Sequence, residues 1–187
     1  MSLQTWQETL IAAQVDGTAL NTSTTATSIL PASAKFTLPT NFFQIGRVLR
    51  IRASGRISNI VTTPGTLTLD VRLGSVVAWN GGAVNLNVVA KTNVSWDLEV
   101  LLTCRSIGSG TSAALMGIAK FISESVVGSP VNTAGGSGML VLPVSAPAVG
   151  TGFDSTATQQ VDLFAKFSVS DAANSIQLHQ YILESLN

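Results

Sequence analysis

The sequence predicts an all-β protein of about eight to ten strands, with the strand spacing found in sandwiches and barrels. Several segments alternate apolar and polar residues with period two, which is typical of strands with one buried face. Turn residues separate these segments at short intervals, and Thr, Ser, Val and Gly are abundant whereas Lys and Glu are scarce. At 187 residues, the chain has the length of one domain, which buries roughly 70% of its unfolded surface.

Residues 1–31 are predicted to form an N-terminal segment that precedes a sandwich domain of residues 32–187. Thr5–Glu8 match the capping box of a helix, whereas the residues from Thr9 to Val15 alternate as in a strand. The strand is favoured because the rest of the chain is sheet. The N-terminal segment is therefore predicted to be an edge strand, with an arm that reaches a neighbouring molecule as the alternative.

Five further segments are predicted strands. In the clearest of them, the side chains from Val94 to Cys104 at even positions point to the core, and Leu101 alone breaks the pattern. Cys104 therefore reads as a small buried hydrophobic residue. The predicted strands are Val48–Ile57, Thr66–Leu73, Val94–Arg105, Val161–Val169 and Ser175–Leu183.

Glycine-containing turns are predicted between the strands. Pro64 and Gly65 occupy the positions that a type II turn requires, and Asn80-Gly81-Gly82 is a strong hairpin signal. Loops are predicted at Gly108–Gly110 and at the glycine cluster Ala134–Gly138.

Charge and composition exclude several classes of protein. Ten Lys and Arg balance ten Asp and Glu, and a pI near 6.5 gives no electrostatic footprint for nucleic acid or an anionic membrane. One Cys excludes an intramolecular disulfide, and one His disfavours most metal centres. No signal peptide or membrane-spanning run is recognised, so we expect a soluble protein made in a cytoplasm. The charged fraction of 11% favours self-association.

The residues that carry chemistry do not assemble into a known catalytic pattern. His179, the general base that a nucleophilic serine would need, lies in the predicted last strand. Asp97 and Glu99 lie roughly 6–7 Å apart on one strand face, a spacing that permits a glycosidase pair. Their outward positions favour ion pairing or solvation instead. The sequence contains no P-loop or dinucleotide motif, and it predicts a non-enzymatic protein without catalytic, cofactor-binding or metal-binding residues.

A row of arginines is the most distinctive charged feature. Arg50, Arg52 and Arg56 share one strand face, and Arg47 precedes them. Stacked like charges require counter-charges or water, which leaves three interpretations. The row pairs with Asp97, Glu99 or Asp70, forms a subunit contact, or binds an anion or nucleic acid. The last is disfavoured because no aromatic residues are interleaved with the arginines.

Four stretches of the sequence carry a family resemblance. They are Leu49–Ser58, Pro64–Gly74, Trp96–Glu99 leading to Thr103–Gly108, and Ile176–Tyr181. Their β pattern and turn placement resemble those of small tailed-phage virion proteins with a tumour-necrosis-factor-like jelly roll, over most of residues 5–187. The resemblance implies an antiparallel β-sandwich of jelly-roll type for residues 32–187, after a short N-terminal extension. It carries no catalytic residue.

The resemblance also implies a function. We expect a capsid decoration (cement) protein on the outer surface of a virion, which binds the major capsid protein and stabilises the phage head as a homotrimer. The alternative is a receptor-binding or carbohydrate-binding knob of a head or tail fibre, with Trp79 and Asn80 at the ligand rim. Candidate subunit-interface residues are Arg50, Arg52, Arg56, Asp97, Glu99, His179 and Tyr181. No nucleic acid, membrane or cofactor is expected as a partner.

Overall fold

Two antiparallel sheets pack against each other as a β-sandwich, which confirms the predicted fold class. A computed structural model describes residues 7–127 and 138–186, and in these residues it contains twelve strands, one short 3-10 turn and no α-helix. The strand number exceeds the predicted eight to ten because very short strands before residue 40 and an unpredicted pair after residue 113 are added.

The strands are numbered in chain order. They are β1 (Glu8–Ala12), β2 (Leu20–Asn21), β3 (Thr27–Ser28), β4 (Thr37–Leu38), β5 (Val48–Asn59), β6 (Thr66–Leu73), β7 (Val76–Asn85), β8 (Lys91–Ser106), β9 (Ala114–Ser123), β10 (Met139–Leu142), β11 (Gln159–Phe167) and β12 (Ser175–Ser185). The 3-10 turn spans Ala32–Ala34.

In each sheet, a strand from the end of the chain lies between strands from its beginning. The larger sheet has the order β1-β12-β5-β8-β9-β10, with β2 also paired to β12. The smaller sheet has the order β3-β11-β6-β7, with β4 also paired to β11. This winding between two facing sheets is that of a jelly roll, to which β9 and β10 add one edge of the larger sheet. The N-terminal residues contribute β1 and β2 to the larger sheet and β3 to the smaller one.

The core lies between the sheets and is built by the alternating strands. Trp96 is the largest fully buried side chain, and its indole nitrogen donates to the carbonyls of Arg56 and Gln177, each at 3.2 Å. Phe121 packs beside it, with ring centroids 6.2 Å apart. Each large apolar side chain buried in this way contributes about 1.5–3 kcal/mol. Cys104 is buried, as predicted, and burial raises the pKa of its thiol.

The turn predictions had different outcomes. Gly65 has the positive φ, +74°, that its turn requires. The predicted hairpin at Asn80-Gly81-Gly82 is wrong, because β7 runs through these residues. The hairpin between β6 and β7 instead uses Gly74 and Ser75, which follow Leu73 opposite Val76. Gly82 (φ +77°) lies in a β-bulge. Its backbone nitrogen donates a 2.8 Å hydrogen bond to the side-chain oxygen of Asn80.

Two other predictions concern the glycine loops and the N-terminus. Gly108 and Gly110 lie in a loop between β8 and β9, and both have positive φ. Of the predicted cluster at 134–138, only Gly138 belongs to the described residues. The capping-box positions Thr5 and Trp6 also lie outside the described residues, and the chain from Glu8 to Ala12 is strand.

Candidate interaction surface

The outward side chains of the larger sheet form a broad face that contains most of the candidate residues. Antiparallel pairing places directly opposed residues side by side on one face. Three rows cross the sheet from β12 towards β10. They are Glu184–Arg50–Leu101–Ile118, Ile182–Arg52–Glu99–Lys120–Val141 and Gln180–Ser54–Asp97–Ile122–Met139. We call this surface the outer face of the larger sheet.

Arg50 has a counter-charge that the sequence analysis did not identify. Its Nε donates to Oε2 of Glu184 at 2.6 Å, and Gln7 donates to the other carboxylate oxygen at 2.7 Å. Glu184 is buried. The hydrogen bond from Arg50 lowers the pKa of the Glu184 carboxyl and outweighs the opposing effect of desolvation. This end of the arginine row is therefore closed within the chain.

The other two arginines of the row, Arg52 and Arg56, form no ion pair among the described residues. Arg56 donates to the hydroxyl of Ser95 at 2.7 Å, and Arg52 is exposed in the position directly opposite Glu99. In the described residues, none of the ion pairs joins the row directly to Asp97, Glu99 or Asp70. Asp70 lies on the smaller sheet.

Arg47 has a separate environment before β5. It donates to the Phe42 carbonyl at 2.6 Å, and its guanidinium lies 4.6 Å from the centroid of the Phe42 ring. It therefore anchors the chain before β5.

Two shallow hollows lie on the outer face of the larger sheet, on either side of Arg56. One has a volume of about 650 Å³ and includes Asp97 and Glu124 in its lining. The other has a volume of about 470 Å³ and includes His179 and Gln180. Both are open depressions on the surface of the sheet.

His179 and Tyr181 lie on opposite sides of the sheet. The register of β12 shifts between Leu178 and Gln180, so His179 is the extra residue of a bulge. Its Nδ1 lies 3.0 Å from Oδ1 of Asp16, and its side chain is partly exposed. Simple alternation puts both residues on the outer face, but the bulge turns Tyr181 into the core.

Tyr181 is therefore not available to a neighbouring subunit, and its prediction as an interface residue is corrected. It is 2% exposed. Burial, with a smaller effect from the charge of Asp162, raises the pKa of its phenol well above the ordinary range. Its hydroxyl has no hydrogen-bond partner among the described residues.

Trp79 is also a core residue, which corrects the predicted ligand rim. It is 3% exposed and packs against β9 so closely that a Cβ added at Gly117 would overlap its ring. Asn80 is exposed, but the indole beside it offers no free face on which a sugar could stack. The two residues do not form a joint rim.

Exposed apolar side chains lie between the charged residues of the outer face. Leu101, Ile118, Ile122 and Val141 are 40–64% exposed and occupy neighbouring positions on β8, β9 and β10. We call these four residues the apolar strip. The sequence analysis missed it because β9 and β10 were not predicted as strands. The one available signal was Leu101, which breaks the alternation of its strand.

Searches for known chemistry and known relatives gave no further assignment. Within residues 7–127 and 138–186, no cluster of His, Cys, Asp and Glu is suited to hold a metal ion. In the same residues, no helix has the length and apolar character needed to cross a membrane. Comparisons with protein-family models, curated proteins and solved structures found no match for this chain.

Proposed function

We propose that the protein is a non-enzymatic structural component of a phage virion, a decoration protein that binds the outer surface of the head. Its partners would be copies of itself, in a homotrimer, and the major capsid protein. The trimer and the capsid partner come from the resemblance in β pattern. The physical support comes from the outer face of the larger sheet.

One observation carries the proposal. The jelly roll presents a sheet face whose exposed groups are apolar side chains and charges of both signs, including Leu101, Arg52 and Asp97. A face of this composition suits contact with another protein surface, since protein interfaces combine an apolar centre with a polar rim. Zero formal net charge also permits many copies to pack closely.

The experiment is to image purified heads with and without the protein. We expect heads that lack the protein to lose protrusions over the whole shell and to regain them when the purified chain is added back. Head stability is measured by the temperature at which the packaged genome is released, and it should fall when the protein is absent.

The same images test the main alternative. Loss of density only at the tail or at one unique vertex would contradict the decoration role and would support a fibre or receptor-binding role. An unchanged particle would overturn both.

A further inference from the structure

We propose that the apolar strip is a contact surface for a second copy of this chain, which packs face to face about a two-fold axis. This inference goes beyond the decoration function, since it names a surface and the symmetry of one contact. The candidate interface residues of the homotrimer, among them Arg52, Asp97 and Glu99, lie on the same face, so this pair and a trimer that uses these residues exclude each other on one molecule. The mass of the purified chain distinguishes the pair from the trimer, and the images of the heads test the decoration function by themselves.

The exposure of the strip is the first argument. Leu101 is directly opposite Ile118, and Val141 on β10 lies diagonally between Ile118 and Ile122, which flank Lys120 on β9. Val141 is 64% exposed and Ile118 is 47% exposed. Single exposed apolar residues are ordinary, whereas a contiguous patch with a polar border indicates an interaction site.

The charge pattern indicates that the occupant is a second copy. Glu99 and Lys120 are directly opposite each other, next to the apolar pair Leu101 and Ile118, and neither forms an ion pair among the described residues. A two-fold axis parallel to the strands, midway between β8 and β9, exchanges the two strand positions. It places Glu99 of each copy over Lys120 of the other.

The same axis aligns one apolar pair of the strip, whereas it places Ile122 over Asp97 and Val141 over Arg52 of the other copy. Because Leu101 and Ile118 are also a directly opposed pair, the exchange places Leu101 of each copy over Ile118 of the other. One arrangement therefore satisfies the charged pair and the neighbouring apolar pair together. Self-complementarity of this kind is what an isologous contact requires, and facing sheets pack in this way at about 10 Å with their strands nearly aligned.

The area is that of a small interface. The axis overlaps four strands of each copy, β5, β8, β9 and β10, and a spacing of about 4.8 Å gives a width of about 14 Å. The ten residues of β9 extend about 33 Å along the strands. The plane area of about 480 Å², to which side-chain relief adds, is below the roughly 800 Å² that each partner buries in a standard interface and corresponds to a weak pair.

The test is a charge exchange between two molecules. Glu99→Lys and Lys120→Glu are made separately, and the mass of each protein is measured by sedimentation from about 1 to 100 μM. We expect the unmodified chain to pair and each variant to pair at least about tenfold more weakly, because like charges then face each other across the axis. In an equimolar mixture of the two variants, opposite charges face each other again, and pairing should return.

The mixture separates the proposed contact from effects within one chain. A loss caused by the neighbouring positions of Glu99 and Lys120 in one molecule would not be restored by adding the other variant. Lys166→Glu, an exposed change on the smaller sheet, is the matched control and should leave the mass unchanged. Ile118→Asp should prevent pairing both alone and in mixtures, and thermal melting checks that each variant is folded.

Three results would overturn the proposal. They are a monomer at 100 μM, a trimer whose mass is the same in all variants, and a mixture that fails to restore the pair. Binding of a monomeric chain to phage heads would overturn the pairing while it leaves the decoration function in place.

Discussion

The outer faces of the two sheets carry similar alternating patterns but differ in how their charges are satisfied. On the smaller sheet, Arg72 lies 2.7 Å from Asp70 and stacks 3.8 Å from the centroid of the Phe164 ring. Asp162 lies 2.7 Å from Lys35. Both carboxylates are buried. The charges of these two carboxylates are therefore neutralised within the chain.

On the larger sheet, Arg50 is paired with Glu184, but several other charges remain exposed beside apolar groups. Arg52, Asp97 and Lys120 are exposed, and none of them forms an ion pair among the described residues. On the smaller sheet, Lys35 and Ser28 from the chain before β5 supply the partners of Asp162, and Arg72 supplies that of Asp70. The comparison teaches that the buried carboxylates of the smaller sheet have their partners within the chain, whereas the larger sheet leaves several charges exposed.

The largest expected effect on stability concerns the paired charges of the smaller sheet. Asp162 accepts hydrogen bonds from the Ser28 hydroxyl and the Leu163 backbone nitrogen in addition to its pair with Lys35. Asp162→Ala leaves these donors without their charged acceptor, and we expect the free energy of unfolding to fall by about 2–3 kcal/mol. Urea denaturation measures this change.

The matched change on the outer face of the larger sheet is Glu99→Ala. Since Glu99 has no ion-pair partner among the described residues, its removal should alter the stability of the isolated chain by less than about 0.5 kcal/mol. These measurements are made below the concentration at which copies associate. Equal losses for the two variants would contradict the distinction between the faces.

A second prediction compares two neighbouring residues of β9 that face opposite sides of the sheet. Gly117→Ala introduces a Cβ that overlaps the buried Trp79 ring, and we expect a loss of about 1–3 kcal/mol from overpacking. Ile118→Ala, on the outer face, should reduce the stability of the isolated chain by less and should weaken pairing instead. Thermal melting and sedimentation of both variants provide the measurements. Stronger destabilisation by the Ile118 change would show that the strip is structural.

The extent to which sequence could predict this arrangement is clear from β12. Alternation correctly placed Leu178 in the core, because the side-chain period of a strand is two. It failed at Tyr181, since one extra residue at His179 reverses the face and no local signal marks that bulge. The partner of Arg50 was missed for another reason. Glu184 is 134 residues away in sequence, and only the pairing of β5 with β12 brings the two together.

The same limits apply to the candidate site. The arginine row and Asp97 were found because a charge on an outward strand position is visible in the sequence. The strip was missed because it depends on which strands are neighbours. Leu101 became meaningful only when β9 placed Ile118 beside it.

A third prediction concerns acid. The hydrogen bond from Arg50 lowers the pKa of Glu184, and the Thr156 hydroxyl, with further backbone hydrogen bonds, lowers that of Asp154. A carboxyl group whose pKa is lowered in the folded state stabilises the fold. This contribution is fully present above the ordinary carboxyl pKa of about 4. That stability is lost as the pH falls through the lowered values.

The corresponding variant is Glu184→Gln, which cannot ionise. We expect it to be less stable than the unmodified chain at pH 7 and to lose less stability between pH 5 and pH 2. Melting temperatures across this range give the measurement, with Glu99→Gln as the control of equal charge change. Parallel curves for Glu184→Gln and the unmodified chain would contradict the assignment.

The smallest expected effect on stability is at Arg56. This residue is also the most direct test of whether the outer face of the larger sheet contacts a partner. Arg56 is exposed and its hydrogen bond to Ser95 is solvent-accessible, so Arg56→Ala should change the free energy of unfolding by less than about 0.5 kcal/mol. If the arginine row contacts the head, the same change should weaken binding to heads that lack the protein, measured by co-sedimentation. A residue that contributes nothing measurable to folding but weakens binding is positioned for contact. A loss of more than 1 kcal/mol in stability with unchanged binding would instead place Arg56 with the closed charges of the smaller sheet.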